Sequence, residues 1–199
     1  MSNKNEMQKI KRYSHILSKV MGVFYWVAVV AACGSLIAAV AIIFIPDSNF
    51  IFDNNGTGSF GLSLDGLIRY DLTEAIQGIS MKEIYTTILF MSALVLLLVG
   101  IVAKQLVHIL KSVENDIPFI KENARRISTV GVVLVLSSVL IPTFEFIVAR
   151  SMIDLLKIQN ISLNYSVNFY LILAGFLMFI LSGIFKYGSF LQNEYDETV

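Results

Sequence analysis

The sequence has 199 residues, of which 56% are hydrophobic and 15% are charged. This apolar share exceeds the roughly 45–50% of a soluble domain, so the composition indicates a membrane protein. The 15 basic and 15 acidic residues give a net charge of zero, and this balance argues against direct binding to nucleic acid.

The first predicted element is an N-terminal arm over 1–22. Apolar residues recur there at roughly helical spacing, with basic residues at other positions. The pattern predicts an amphipathic helix lying on the inner leaflet of the membrane, and calmodulin-like recognition would use the same pattern. The apolar residues are Met7, Ile10, Ile16, Leu17 and Val20.

Four apolar runs follow, and each is long enough to cross about 30 Å of hydrocarbon, which takes roughly 20 helical residues. Each should be a helix, because a chain in lipid must satisfy its backbone groups within its own segment. They cover 23–45, 84–102, 127–148 and 167–185. The predicted fold is an all-α membrane protein with four transmembrane helices in a single domain, 1–199.

The first span carries small residues at a spacing of four, which lets helices approach closely. We favour packing within the chain, and a structural role through self-association or contact with neighbouring membrane proteins stays open. These residues are Ala28, Ala31, Ala32, Ser35 and Ala39. The same span holds Cys33, the sole cysteine, which we expect to be buried and unreactive.

Residues 46–83 link the first two spans and are long enough to form a structured outer loop. The stretch "FIFDNNGTGSFGLSL" predicts two short extended segments around a Gly/Asn turn. Asp71 and Glu74 have capping-box spacing before a short predicted helix. Ser80 and Glu83 have the same spacing just before the second span.

The middle loop, 103–126, contains the densest charge in the chain. "AKQLVHILKSVE" continues the second span, "NDIP" breaks the helix, and "FIKENARRI" leads into the third span. Pro118 suits the first turn of the new helix, and Asp116 is placed to cap it. The loop therefore predicts a helical hairpin that extends beyond the membrane.

The distribution of basic residues predicts the orientation. Eleven of the 15 lie in the arm, the middle loop and the tail, 186–199. By the positive-inside rule, both termini and the hairpin are cytosolic. The tail is also acidic, and a surface ion pair with the hairpin would contribute at most about 1 kcal/mol, so it would act as a weak latch at best.

Glu145 is the only acidic residue within a span. It lies 19 residues after Arg126, which places it about 28 Å along the helix, near the outer edge of the hydrocarbon. We favour an interfacial carboxylate that reaches head groups or Arg150 over a proton or ion site. Pro142, one turn earlier, could kink the helix and open a small polar pocket.

The sequence offers no pattern typical of a soluble enzyme. His15 and His108 are isolated from each other and from any Ser or Cys that would suggest a triad. Neither a phosphate-cradling glycine loop nor a metal-ligand spacing is present. We therefore predict a protein without enzymatic activity, cofactor or metal.

Two segments, "ILKSVENDIPFIKENARRI" at 109–127 and "GIFKYGSFLQNEYDETV" at 183–199, resemble a bacterial family of four-span membrane proteins, domain of unknown function 2975. The matching residues are Pro118, Phe119, Asn123, Arg126, Phe185, Gly188, Leu191, Asp196, Thr198 and Val199. The resemblance implies no catalytic residue. It implies a bacterial cytoplasmic membrane and, because members are often encoded beside small helix-turn-helix regulators, a partner of that kind.

These observations predict a regulatory membrane protein whose hairpin binds a cytosolic partner, with the outer loop as a sensor of an envelope signal. The candidate partner-binding residues are Pro118, Phe119, Lys121, Asn123, Arg125, Arg126 and Asp196. The alternative is a small exporter or immunity-type protein, acting as a homo-oligomer, with Glu145 and Pro142 as its polar feature.

Overall fold

The structure is a computed structural model that describes residues 2–54, 58–63, 67–72, 76–157 and 162–198, with side chains over 6–51, 78–157 and 162–194. Its helices are α1 (Ser2–Phe44), α2 (Lys82–Glu114), α3 (Lys121–Leu156) and α4 (Phe169–Thr198). All four are long and apolar enough to cross a membrane. This confirms the predicted four-helix membrane fold, and the protein is a multi-pass membrane protein. The orientation of the termini stays a prediction.

Each helix is longer than the membrane requires. At 1.5 Å per residue, α1 with 43 residues is about 64 Å long and α2 with 33 residues about 50 Å, against roughly 30 Å of hydrocarbon. The surplus of α2 is the extension "AKQLVHILKSVE", as the sequence predicts. A short turn at 115–120 separates α2 from α3, so the predicted helical hairpin is present.

The N-terminal arm is helical but differs from its prediction. Residues 2–22 continue into the first span without a break in α1. A helix lying flat on the leaflet would need such a break before a span that crosses the membrane. The predicted apolar residues of the arm are exposed, whereas Ser14 and Ser18 are buried.

The loop after α1 begins with a 3₁₀ turn, Asp47–Phe50, and contains β1 (Ile51–Asn54), β2 (Gly58–Ser63), β3 (Leu67–Leu72) and β4 (Ile76–Ser80). The two extended segments predicted here are β1 and β2, but they do not pair with each other. β1 pairs antiparallel with β4, and β2 pairs antiparallel with β3.

The prediction of a short helix after Asp71 is wrong as far as the described residues show. Residues 67–72 and 76–80 form strands instead. Glu74 itself lies outside the described residues. Local capping signals can be overridden by strand pairing, which depends on residues far along the chain. At the second capping signal, Ser80 Oγ accepts a 3.4 Å hydrogen bond from the Lys82 backbone N–H at the start of α2.

The chain divides into two compact units. Unit 1 comprises Met1–Val30, Leu96–Ser138 and Phe169–Val199. Within it, α3 and α4 approach closely at Gly131 and Gly175: a Cβ on Gly175 would lie 2.9 Å from the Gly131 carbonyl oxygen. Small residues allow this close backbone contact between membrane helices, where apolar burial alone gives little driving force.

Unit 2 comprises Ala31–Val95 and Val139–Asn168. Lys82 Nζ lies 2.9 Å from Asp47 Oδ1 and so joins the start of α2 to the turn after α1. Near Pro142, the only proline within a described helix, the Tyr165 hydroxyl lies 3.2 Å from Thr143 Oγ1. The Tyr165 ring also packs edge-on against Phe146 at 6.0 Å.

Most of the small residues of the first span are packed inside the chain. Ala28, Ala32 and Ala39 are buried, as expected for packing within the protein. Cys33 is exposed, so the prediction of a buried thiol is wrong.

Candidate functional site

The turn of the hairpin is closed by the backbone of α2. The Ile117 N–H donates to the Ser112 carbonyl at 3.0 Å, and the Asp116 N–H donates to the Val113 carbonyl at 3.2 Å. Asp116 has φ 63°, the left-handed conformation that ends helices in the Schellman motif. Asp116 therefore ends α2, and the prediction that it caps the following helix is wrong.

Behind this turn lies Asn123, whose side chain is fully buried at 0% exposure. Its Nδ2 donates to the Pro118 carbonyl at 2.8 Å and to Ser112 Oγ. Its Oδ1 accepts a 2.8 Å hydrogen bond from Arg126. Both N–H groups and the oxygen of the amide are thus satisfied, which a buried amide requires, and Asn123 connects α2, the turn and α3.

Arg126 extends this network. Its Nη1 also donates to the His108 carbonyl at 3.3 Å, so the guanidinium crosses from α3 to α2. His108 lies on the part of α2 beyond the apolar span, and its pKa is lowered, first by burial and then by the positive charges of Arg126, Lys111 and Lys104. His108 is therefore neutral near pH 7, and the cationic character of the hairpin comes from Lys and Arg.

Phe119 fixes the other side of the turn to α4. Its ring lies 5.2 Å from that of Phe185. A Cβ on Gly188 would lie 2.8 Å from Phe119 Cδ1, so the ring rests directly on the glycine backbone. About one turn before Phe185 in α4, Ser182 Oγ donates to the Ala124 carbonyl at 2.7 Å. The hairpin turn and the C-terminal helix are therefore in contact.

The arm holds the hairpin from a third direction. Lys11 pairs with Asp116, and His15 Nδ1 lies 2.8 Å from Glu114 Oε1. Both contacts are partly exposed, and exposed polar contacts contribute little stability each. They place the arm beside the hairpin.

The tip of the hairpin is exposed. Ile117 and Phe119 are 43% and 42% exposed although both are large and apolar. Lys121 and Arg125 are exposed beside them on α3, with Glu122 between. We call this set the hairpin tip: Ile117, Phe119, Lys121, Glu122 and Arg125.

Residues 67–199 match the family model described as Protein of unknown function (DUF2975). The chain belongs to this family. The match covers both segments on which the resemblance rests, and the recognition is confirmed. No curated protein and no solved structure matches the chain.

In this DUF2975 protein the predicted partner-binding residues divide by position. Phe119, Lys121 and Arg125 lie on the hairpin tip, with the half-buried Pro118 next to them. Asn123 is buried, and Arg126 is half-buried in the same network. Asp196 lies on the last turns of α4, and its side chain is outside the described residues.

Glu145 is half-buried on α3 and interacts with a neighbouring group. Arg150, its expected partner, has Asp154 as an ion-pair partner at 3.8 Å. Among the described residues, no three His, Cys, Asp or Glu side chains come together as a metal site would need.

Sequence reasoning missed two features of the DUF2975 hairpin. The first is the hydrogen bond between Ser112 and Asn123, for which the sequence gives no local signal, because each residue stands beside a charged one, Lys111 and Glu122 respectively. The second is the Phe119 contact with Gly188. Both residues belong to the segments that carry the resemblance, and the structure brings them into contact.

Proposed function

We propose that this DUF2975 protein is a non-enzymatic regulatory protein of the bacterial cytoplasmic membrane, whose hairpin tip binds a cytosolic partner such as a helix-turn-helix regulator. The observation that carries the proposal is the exposure of two large apolar residues, Ile117 and Phe119, on a turn that is fixed from behind.

The fixed turn favours recognition. The Asn123 side chain donates a hydrogen bond to the Pro118 carbonyl of the turn, Phe119 rests on Gly188, and Lys11 pairs with Asp116. A surface already held in one conformation loses little conformational entropy on binding, which leaves more of the contact energy for affinity.

The chemistry of the tip defines the partner. Lys121 and Arg125 flank the apolar pair, and Lys111 adds a further exposed cation on α2. An interface typically has an apolar centre and a polar rim, and complementary charge raises association rates. The partner surface is therefore an apolar pocket with an acidic rim.

The test is affinity purification from gently solubilised, crosslinked membranes. We would compare the wild type with a Lys121→Glu/Arg125→Glu variant, which leaves Arg126 and its network intact. Arg150→Glu/Lys157→Glu, on the predicted outer side, is the control with the same change in charge. Ile117→Ser removes an apolar contact without changing charge.

We expect a DNA-binding protein to be recovered with the wild type and the control, and lost with both tip variants. Transcription of the genes that it regulates should change in the same two variants. Equal recovery and unchanged transcription in all four proteins would overturn the proposal.

The exporter or immunity alternative centres on Glu145 and Pro142. It predicts that Glu145→Gln abolishes flux or resistance, because the substitution removes the titratable carboxylate while keeping its size. A Glu145→Gln protein with full flux or resistance would argue against this alternative and leave the hairpin proposal unaffected.

A further inference from the structure

Unit 2 contains a cleft of about 760 Å³ near the start of α2. Its lining includes three charged residues, Asp47, Lys82 and Glu83, of which Lys82 and Asp47 form an ion pair. The hydroxyl groups of Thr86, Thr87 and Ser151 add hydrogen-bonding capacity. A cleft with these groups suits the polar part of a ligand.

A second groove of about 560 Å³ adjoins the cleft, and Ile43, Thr86 and Thr87 line both. The rest of its lining is apolar and comes from residues within the predicted spans: Leu36, Ala39, Val40, Phe90, Met91 and Ile147. This groove lies at a depth where lipid chains surround the helices, so an acyl chain is its natural occupant.

The charges of the cleft select the head group. Lys82 is one cation beside two carboxylates, Asp47 and Glu83, so the lining has a net charge of −1. The Lys82 side chain is 22% exposed and its ammonium lies 2.9 Å from Asp47 Oδ1, whereas the Asp47 side chain is 72% exposed. A purely anionic head group would meet the carboxylates and be repelled.

We propose that the two grooves together bind one phospholipid whose zwitterionic head group carries a primary ammonium. Its phosphate contacts Lys82, its ammonium contacts Asp47 and Glu83, and one acyl chain lies along the apolar groove. A quaternary ammonium has no N–H to donate to the carboxylates, so a choline head group binds less well.

The experiment uses the full protein in vesicles with equal amounts of phosphatidylethanolamine, phosphatidylcholine and phosphatidylglycerol. The protein is extracted gently, and the retained lipids are counted by mass spectrometry. Asp47→Asn removes one carboxylate of the cleft. Asp154→Asn is the matched control, because Asp154 is also 72% exposed and ion-paired but lies outside the cleft.

We expect the wild type to retain phosphatidylethanolamine over phosphatidylcholine by about twofold to fivefold, the ratio that one exposed charge contact supports. Asp47→Asn should lower this ratio, because only Glu83 then remains to contact the ammonium, and Asp154→Asn should keep it. Lys82→Gln should lower retention of phosphatidylethanolamine and phosphatidylcholine, because the phosphate of either zwitterionic head group loses its cation.

Retention that follows the vesicle composition would mean annular lipid only and would overturn the proposal. So would a preference that is unchanged in Asp47→Asn or is lowered equally in Asp154→Asn. Glycerophosphoethanolamine has the head group without acyl chains. If it displaced the lipid as well as the intact phospholipid does, the apolar groove would have no part in binding and the proposal would fail.

Discussion

The side chain of Asn123 makes three contacts that no apolar residue could replace. Ser112 Oγ, the Pro118 carbonyl and the Arg126 guanidinium all bond to its amide, inside a site with 0% exposure. A residue chosen for partner binding would be exposed, so the geometry assigns Asn123 to holding the turn together.

Asn123→Ala should lower the free energy of unfolding by about 2–3 kcal/mol, because buried polar partners are left without hydrogen bonds. Denaturant or thermal unfolding in detergent measures this loss. Asn115→Ala, at an exposed position of the same turn, should change it by about 0.5 kcal/mol or less. Equal effects of the two substitutions would show that the amide network contributes nothing specific.

Gly188 is the second residue on which the turn depends, since a Cβ there would overlap the Phe119 ring at 2.8 Å. Gly188→Ala should displace Phe119 and cost about 1 kcal/mol of stability, the usual scale for overpacking. Gly183→Ala is the control, because open space surrounds that position and alanine favours the helix.

The same unfolding measurement on a Phe119→Ala background completes this test. Without the ring to displace, Gly188→Ala should no longer destabilise the protein, and the coupling between the two sites should account for the whole loss. A loss that persists on that background would show that Gly188 acts through something other than Phe119.

At the scale of elements, the arm and the hairpin should be neighbours, because Lys11 and His15 pair with Asp116 and Glu114. In a Cys33→Ala background, Lys11→Cys with Asp116→Cys should join through a short bismaleimide cross-linker. Lys9→Cys with Asp116→Cys should join poorly, since position 9 lies on another face of α1.

Cross-linking of both pairs to the same extent would indicate a mobile arm. Failure of both would restore the sequence-based prediction that the arm lies on the inner leaflet, away from the hairpin.

The sequence predicts the helices well because lipid forces each apolar run of sufficient length to be a helix. The hairpin is likewise predictable, from the proline and the cluster of turn residues around it. The role of Asp116 is not, because aspartate suits both the start of a helix and the left-handed position that ends one.

Long-range contacts lie beyond sequence reasoning of this kind. The pairing of β1 with β4, instead of β2, depends on residues separated by the whole loop. The Phe119 contact with Gly188 joins the turn to α4, and the Asn123 network joins α2 to α3. Hydrophobic periodicity indicates which residues of a helix are apolar, but not which distant residues they contact. These contacts are the ones that decide which hairpin residues are exposed.

At the scale of the whole molecule, the proposed partner can reach the hairpin only if the hairpin is cytosolic. The distribution of basic residues predicts this orientation. Because Cys33 is the only cysteine, a Cys33→Ala protein offers a clean background for labelling with a membrane-impermeant maleimide. Asn115→Cys reports on the hairpin turn, and Ser162→Cys reports on the link between α3 and α4; both positions are exposed.

In intact spheroplasts we expect Ser162→Cys to be labelled and Asn115→Cys to be protected, because the reagent cannot cross the bilayer. After permeabilisation both should react, which shows that protection comes from the membrane and not from burial. Labelling of Asn115→Cys in intact spheroplasts would place the hairpin outside the cell. A cytosolic regulator could then no longer bind the tip, whereas the lipid site of unit 2 would remain available to the opposite leaflet.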